Sequence, residues 1–169
     1  MNILQIYEID KMYTDYLRKV DDRVRDEKDH PNAKTRKYIG LLLEINSFKY
    51  FAPLASPKRK FMKMKNDKDF MKINGNQHGA INFNNMIPVH DSALIEYDIN
   101  AELDYKYKSI LIAQTRFIRK NKEEIISIAT ELYRIMTSDL EEDQSEKRRL
   151  NRRCCRYLLL EEACSTYIH

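Results

Sequence analysis

Two apolar runs separated by only two residues constrain the fold of this chain more than any other feature. They are Tyr38–Ile45 and Phe48–Leu54, with Asn46-Ser47 between them. This pattern predicts two antiparallel strands joined by a tight turn. The second run ends at Ser56-Pro57-Lys58, and basic residues precede the first. The hairpin therefore brings cations and a hydroxyl group to the margins of one small sheet, which suits an anionic ligand.

The remaining pattern predicts strands followed by helices. A short strand over Asn2–Tyr7 precedes an amphipathic helix over Ile9–Val20. Further strands are predicted after the hairpin, at Phe70–Ile73, Ala80–Val89 and Ala93–Tyr97. Two helices follow, with apolar stripes over Tyr107–Ile118 and Ile125–Met136, and Asn121 with Glu124 has the pattern of an N-cap. Lys58–Asp69 is predicted to be an extended surface loop, Asp139–Arg153 a loop or exposed helix, and Tyr157–Leu160 a return to the core.

Strands before helices indicate an α+β fold with an antiparallel sheet and peripheral α-helices. At 169 residues, the chain is expected to form one domain over residues 1–169. The net charge is only +4, but the charges are segregated. Lys58–Lys72 holds seven basic residues and two acids, and Lys147–Arg156 holds six basic residues and none. Segregation of this kind favours a polyanionic partner, although either run alone is equally consistent with a solvated face.

Several classes of site and location are disfavoured. Gly40, Gly75 and Gly79 are the chain's three glycines, which argues against a glycine-rich nucleotide site. Cys154, Cys155 and Cys164 lack metal-ligand spacing and fit a reducing compartment, so we interpret them as structural. His30, His78 and His90 could supply a histidine pair, but nothing in their spacing selects them. We expect no metal, no cofactor and no membrane span, and we expect a cytoplasmic protein.

Metal-free RNA cleavage is compatible with the residues around the hairpin. In that reaction the ribose 2′-hydroxyl attacks the adjacent phosphate and the 5′-oxygen leaves, which requires charge stabilisation and proton transfer. Ser56 has a hydroxyl to donate, Lys58 has a positive charge, and Arg36 suits bidentate phosphate contact. On spacing alone, a plain turn at the end of a strand is the more common meaning of Ser-Pro-Lys.

Five segments together resemble the ToxN/AbiQ family of endoribonuclease toxins of type III toxin–antitoxin systems, which also act as phage abortive-infection proteins. The resemblance runs from about residue 3 to residue 163, and the segments are RKYIGLLLEI, FKYFAPLASPK, NNMIPV, QTRFIRKNKEEI and LLLEE. It implies a strongly bent antiparallel sheet related to the MazF/Kid toxin barrels. It also implies cleavage of cellular or phage RNA without metal, leaving 2′,3′-cyclic phosphate and 5′-hydroxyl ends. The implied partner is a small repeat RNA antitoxin of pseudoknots, processed by the toxin and bound in a closed toxin–RNA assembly.

The resemblance assigns roles to particular residues. Ser56 matches the family's active-site serine, Lys58 the lysine after it, and Arg36 a basic residue before the first hairpin strand. Relatives often have threonine at the position of Ala55. Because alanine has no hydroxyl group, this chain lacks the one that those relatives carry there. Predicted RNA contacts are Lys34, Lys37, Arg59, Lys60, Phe61, Lys63, Lys65, Lys68, Arg116 and Arg119. Tyr38 and Tyr50 have faces that suit stacking on bases, but their positions in strands favour the core.

Two other functions are weighed against the endoribonuclease. A catalytically weak or silent RNA-binding protein on the same fold is the alternative, motivated by Ala55 and by the altered residues after the Ser-Pro-Lys turn. A DNA-binding regulator is disfavoured because the chain carries no helix–turn–helix signature.

Overall fold

The structure, a computed structural model, describes residues 5–25, 35–45 and 47–168. These ranges contain seven strands and six α-helices. The strands are β1 (Ile6–Ile9), β2 (Tyr38–Ile45), β3 (Phe48–Ala55), β4 (Met71–Lys72), β5 (Ala80–Ile81), β6 (Ile87–Pro88) and β7 (Leu94–Glu96). The helices are α1 (Lys11–Val20), α2 (Arg59–Lys63), α3 (Tyr105–Lys120), α4 (Lys122–Thr137), α5 (Gln144–Asn151) and α6 (Tyr157–Ser165).

One antiparallel sheet holds all seven strands. Its order is β4-β5-β3-β2-β1-β7. The remaining strand, β6, pairs with the part of β3 that β5 does not reach. The α+β prediction is confirmed. The barrel implied by the resemblance is not seen, because β4 and β7 end the order without pairing with each other, so the described strands form an open sheet.

The predicted hairpin is the centre of this sheet. β2 and β3 pair antiparallel, from Ile45 opposite Phe48 to Tyr38 opposite Pro53. Ser47 has the left-handed φ of 69° that a tight two-residue turn requires, whereas Asn46 lies outside the described residues. On its other edge β3 pairs first with β6 and then with β5. β3 is therefore bonded to neighbouring strands on both edges.

The first strand and helix are shifted from their predicted bounds. The part of predicted strand Asn2–Tyr7 before residue 5 lies outside the described residues, and β1 continues to Ile9. Helix α1 begins only at Lys11, because the Asp10 carboxylate caps it by accepting from the Met12 and Tyr13 N–H groups.

Three further predictions differ from the structure. Ala80–Val89 is two short strands separated by a 3₁₀ turn at Phe83–Asn85, where the Asn85 side chain bonds to the backbone of Arg23 instead of facing a strand partner. The basic segment after residue 58 contains α2 because Phe61 packs its ring on Phe70. Asn121 does not cap α4 with its side chain; its Nδ2 donates to the carbonyl of Phe117 and so ends α3.

Two hydrophobic clusters support the sheet. The larger one combines both faces of the central strands with α1, α3, α4 and α6. The smaller one consists of Ala55, Phe61, Phe70 and Ala80, at the end of β3. None of the helices in the described ranges is long and apolar enough to cross a lipid bilayer. The small cluster lies directly under the Ser-Pro-Lys segment and gives it a packed base.

Candidate active site

Ser56 lies where the ends of three strands meet. It follows the last residue of β3, Ala55, which pairs with Ala80 of β5. Continuing that register by one residue sets Gly79 opposite Ser56. On the other edge, Tyr38 pairs with Pro53, so the same register continued by two residues sets Arg36 opposite Ala55. Opposite residues in an antiparallel pair lie about 5 Å apart between Cα atoms. The fold therefore brings Arg36 to within one residue of Ser56, as predicted.

Gly79 permits the close approach of β5 to this turn. It has a φ of 92°, a conformation that other L-residues rarely adopt. A Cβ atom at this position would overlap the carbonyl oxygen of Ala55 and press on the carbonyl carbon of Ser56. A glycine is therefore required here for the segment carrying His78 to lie beside the Ser56 backbone.

The backbone of Lys58 is held by a buried amide. Oδ1 of Asn76 accepts from the Lys58 N–H at 3.3 Å, and Nδ2 of Asn76 donates to the Lys58 carbonyl at 3.0 Å. The same carbonyl accepts from the N–H of Phe61 and starts α2. Ser56, Pro57 and Lys58 themselves are exposed. The side chains of the turn are thus exposed to solvent, while the Lys58 backbone is hydrogen-bonded to the Asn76 amide.

Phe61 was predicted to contact RNA, but its ring is buried and has no face free to stack on a base. The ring instead lies close to the ammonium groups of two lysines. Its side chain is buried with the Phe70 ring, 5.1 Å away between centroids. The Nζ atoms of Lys58 and Lys60 lie 5.8 and 5.6 Å from its ring centroid. Cations at this range are attracted to the face of an aromatic ring. Phe61 therefore helps to place the Lys58 ammonium group above the turn.

Lys37 is also not a surface cation, contrary to the prediction. It is only 4% exposed, forms an ion pair with Glu8 and donates to the carbonyl of Thr35. Its Nζ lies 4.0 Å from the centroid of the Tyr97 ring. The charge is neutralised within the protein because β2 and β1 pair here and bring Glu8 alongside. Lys34, the neighbouring candidate, lies outside the described residues.

The other predicted RNA-contacting residues are exposed. They are Arg59, Lys60, Lys63, Lys65, Lys68, Arg116 and Arg119. The first five follow the Ser56 turn directly, on α2 and the segment after it. Arg116 and Arg119 lie on α3, the helix that reaches the turn through Gln114. Their role in RNA binding stays a prediction.

The second basic run is largely committed to the fold. Arg149 pairs with Asp67, and Arg153 pairs with Asp67 and Asp69. The Arg149 hydrogen bond holds the pKa of Asp67 down to about 2, whereas burial raises the pKa of Asp69. These pairs fasten the C-terminal region to the segment after α2. For this basic run, the interpretation that needs no polyanionic partner is therefore the better one.

The remaining candidates lie in the core. Tyr38 and Tyr50 are fully buried, so the core interpretation is confirmed for both. Cys154 and Cys155 are fully buried and Cys164 nearly so, and burial raises the pKa of Cys154 to about 12. Thiols in such surroundings are inert. Among the described residues, no three His, Cys, Asp or Glu side chains are grouped closely enough to hold a metal ion.

Sequence reasoning missed three residues beside the turn: Asn76, His78 and Gln114. Nε2 of Gln114 donates to the carbonyls of His78 at 2.8 Å and Ala55 at 3.4 Å. The Nδ1 atom of His78 lies 2.9 Å from Nδ2 of Asn74. No sequence pattern linked Asn76 to Lys58, because the two residues are 18 positions apart along the chain.

Comparison with known proteins shows the family of this chain. The family model for the ToxN toxin of type III toxin–antitoxin systems matches residues 5–165. The Endoribonuclease ToxN of Pectobacterium atrosepticum is 35% identical over 130 residues, covering 73% of this chain and 76% of that protein.

Two solved structures share the fold. One comes from a bacterial type III toxin–antitoxin system in which a non-coding RNA pseudoknot selectively inhibits the toxin. It has a TM-score of 0.86 and 29% identity, covering 98% of each chain. The other is AbiQ, a lactococcal anti-phage endoribonuclease of the type III system, with a TM-score of 0.79 and 26% identity over 98% of each chain. The chain described here belongs to the ToxN toxin family of type III toxin–antitoxin systems.

Proposed function

We propose that this protein is an endoribonuclease toxin that cleaves RNA at the exposed turn Ser56–Lys58. The observation that carries the proposal is the meeting of three strand ends at Ser56, with Arg36 on one side and Lys58 two residues on. The endoribonuclease activity of its relatives supports the same reaction. Exposed cations continue from the turn along α2, where an RNA backbone would be neutralised.

The proposed reaction is an internal transesterification. The 2′-oxygen forms a bond to phosphorus as it loses its proton, and the bond between phosphorus and the 5′-oxygen breaks as that oxygen gains one. The products carry a 2′,3′-cyclic phosphate and a 5′-hydroxyl. Ser56 donates to a non-bridging oxygen, Lys58 offsets the added negative charge, and Arg36 contacts the phosphate in a bidentate manner. No step in this scheme requires a metal ion.

The proposed inhibitor is an RNA. A pseudoknot that follows the cationic surface would cover the turn and exclude substrate, as a pseudoknot inhibits the related toxin. We extend this to processing of a repeat-containing precursor RNA by the toxin and to a closed toxin–RNA assembly. Cellular and phage RNAs are the proposed substrates of the released toxin.

The experiment is cleavage of a mixed-sequence RNA by purified protein in EDTA. Wild-type protein is expected to give discrete fragments whose 3′ ends resist ligation at a 3′-hydroxyl until the cyclic phosphate is opened and the remaining phosphate removed, and whose 5′ ends accept phosphate from a kinase. Ser56→Ala and Lys58→Ala should lose cleavage and keep RNA binding. Ser92→Ala, which alters an exposed serine beside His90, is the matched control and should cleave normally.

Two results would change the proposal. If the Ser56→Ala variant cleaved RNA in EDTA as fast as the wild-type protein, Ser56 would have no role in the reaction. A mobility shift without cleavage by the wild-type protein would favour the catalytically silent RNA-binding protein, whose motivation is the missing hydroxyl at Ala55.

A further inference from the structure

We infer that Asn76 and Gln114 are positioning residues, which hold the Ser56–Lys58 turn from both ends in the geometry that cleavage needs. The inference rests on the proposed function. Neither residue presents a group to substrate in this structure, because both are buried. Their role is to fix the backbone from which the Ser56 hydroxyl and the Lys58 ammonium group extend.

Asn76 holds the C-terminal end of the turn. Its amide bonds to both backbone polar groups of Lys58, as donor to the carbonyl and as acceptor from the N–H. An asparagine amide has one end for each, so the pairing fixes the orientation of the whole Lys58 peptide. The Asn76 backbone is in turn fixed, since its N–H donates to Ile73 and its carbonyl accepts from Gly79.

The segment that carries Asn76 has an unfavourable backbone conformation. Asn74, Gly75 and Asn76 have successive φ values of 48°, 62° and 80°. Residues other than glycine adopt such angles at an energetic cost, and they persist where surrounding interactions fix them, often at functional sites. Asparagine is among the residues other than glycine that adopt these angles most often. At residue 76 its amide makes two hydrogen bonds to Lys58 that a glycine could not make.

Gln114 holds the N-terminal end of the turn. Its Nε2 donates to the carbonyl of Ala55, the residue before Ser56, and to the carbonyl of His78 on the neighbouring segment. Two carbonyl partners require the amide nitrogen at this end of the side chain. Its Oε1 is then buried without a hydrogen-bond donor among the described residues. The amide therefore acts through its donor side, toward the two carbonyls beside the turn.

The two amides together leave only Ser56 and Pro57 between fixed points. Ala55 is bonded on one side and Lys58 on the other, while proline restricts φ within the turn. In-line attack depends on placing reacting groups to within a fraction of an ångström, and a shift of 1 Å costs about 100-fold in rate. Loss of either amide should therefore reduce the rate of the chemical step more than it reduces RNA binding.

The test uses one variant for each amide, chosen to suit the local backbone conformation or side-chain volume. Asn76→Gly removes the amide while suiting the positive φ, and Gln114→Met removes the donor and the orphaned oxygen at similar volume. Single-turnover cleavage should fall about 10- to 100-fold for both. The KM, and the Kd for RNA measured in the Ser56→Ala background, should stay within about 2-fold. Each variant also loses hydrogen bonds that support the fold, so rates are compared per folded molecule, with the folded fraction taken from thermal denaturation. Asn76→Asp, which keeps the acceptor for the Lys58 N–H and loses the donor, should be intermediate.

Asn85→Ala is the matched control. Asn85 is also a buried asparagine, and its Nδ2 donates to the backbone carbonyl of Arg23 at 3.0 Å, outside the turn. It should lower thermal stability while keeping the wild-type rate per folded molecule. The inference is overturned if Asn76→Gly and Gln114→Met cleave at the wild-type rate, or if their losses match the unfolded fraction. Absence of cleavage by the wild-type protein would instead overturn the proposed function.

Discussion

The hydroxyl of Tyr50 donates a 2.6 Å hydrogen bond to Oε1 of Glu161, a carboxylate buried in the core. The hydroxyl of Tyr133 donates to the same oxygen at 2.8 Å. These bonds join β3, α4 and α6 through one acidic side chain. A buried carboxylate that lost these donors would be left unsatisfied, so the two tyrosines explain why a glutamate is tolerated there.

We predict that Tyr50→Phe destabilises the protein without affecting RNA binding. Removing one donor from a buried carboxylate should cost roughly 1.5–3 kcal/mol in the free energy of unfolding. Urea denaturation measures this cost, and Tyr133→Phe, which removes the other donor, serves as the matched comparison. A clear loss of RNA affinity in folded Tyr50→Phe would contradict the placement of this ring in the core.

The ion pair of buried Lys37 with partly exposed Glu8 gives a second prediction. Lys37→Met leaves the Glu8 carboxylate uncompensated and should destabilise the protein by at most about 3 kcal/mol, because solvent partly reaches Glu8. The double variant Lys37→Met with Glu8→Leu should recover most of that loss, because neither charge then remains buried. Denaturation of the two variants gives both values.

The same Lys37 variants separate a structural role from a role in RNA binding. If Lys37 is confined to the fold, the double variant should keep the wild-type dependence of RNA affinity on salt. A salt slope reduced by about one would indicate that this lysine neutralises a phosphate.

The third prediction concerns acid stability. The Arg149 hydrogen bond lowers the pKa of Asp67 to about 2, below the value of about 3.9 expected in the unfolded chain. A carboxylate with a lowered pKa stabilises the fold above its unfolded pKa, and the contribution is lost as pH falls from about 4 to about 2. Because the pair is partly exposed, Asp67→Asn should cost only about 0.5–1 kcal/mol at pH 7, less near pH 2 and nothing below about pH 1.

Denaturation of wild type and Asp67→Asn across this pH range is the measurement. Arg149→Gln breaks the same pair from the other side and should show the same loss of difference in acid. A cost that persists unchanged at pH 2 would mean that Asp67 acts through something other than its charge.

The fourth prediction concerns the exposed lysines after the turn. In the Ser56→Ala background, Lys60→Ala and Lys63→Ala should each lower the slope of log affinity against log salt by about one, since each would remove a phosphate contact. Lys49→Ala is the control, because Lys49 is paired with Asp91 at 2.7 Å. Equal slopes for all three variants would place the RNA backbone elsewhere on the protein.

Features that depend on residues close together in the sequence were predictable. Features that depend on residues far apart in the sequence were not. The β2–β3 hairpin followed from two apolar runs and a two-residue turn. The burial of Lys37 depends on Glu8, and that of Phe61 on Phe70, and neither partner is marked in the sequence. The same holds for the site: Asn76 is 18 residues from Lys58, and Gln114 is 59 from Ala55.

The family resemblance singled out Ser56 and Arg36 as candidates because those residues lie within the matching motifs. It gave no account of what supports them, since support comes from buried amides on other segments. The split of Ala80–Val89 into two short strands was missed for a related reason: asparagine side chains there satisfy backbone groups of distant segments instead of pointing to a strand partner.

The position of β3 in the sheet has a consequence for control of the activity. Strand β3, which ends just before Ser56, is bonded on both edges, and its side chains from Tyr50 to Ala55 are buried. Segments of this kind open only when the whole protein unfolds, unlike lids and peripheral loops. Folding of the chain and assembly of the strand end that carries the proposed site are then a single event. A protein built in this way has to be restrained by something bound to it, and that places the switch in its partner and not in its own conformation.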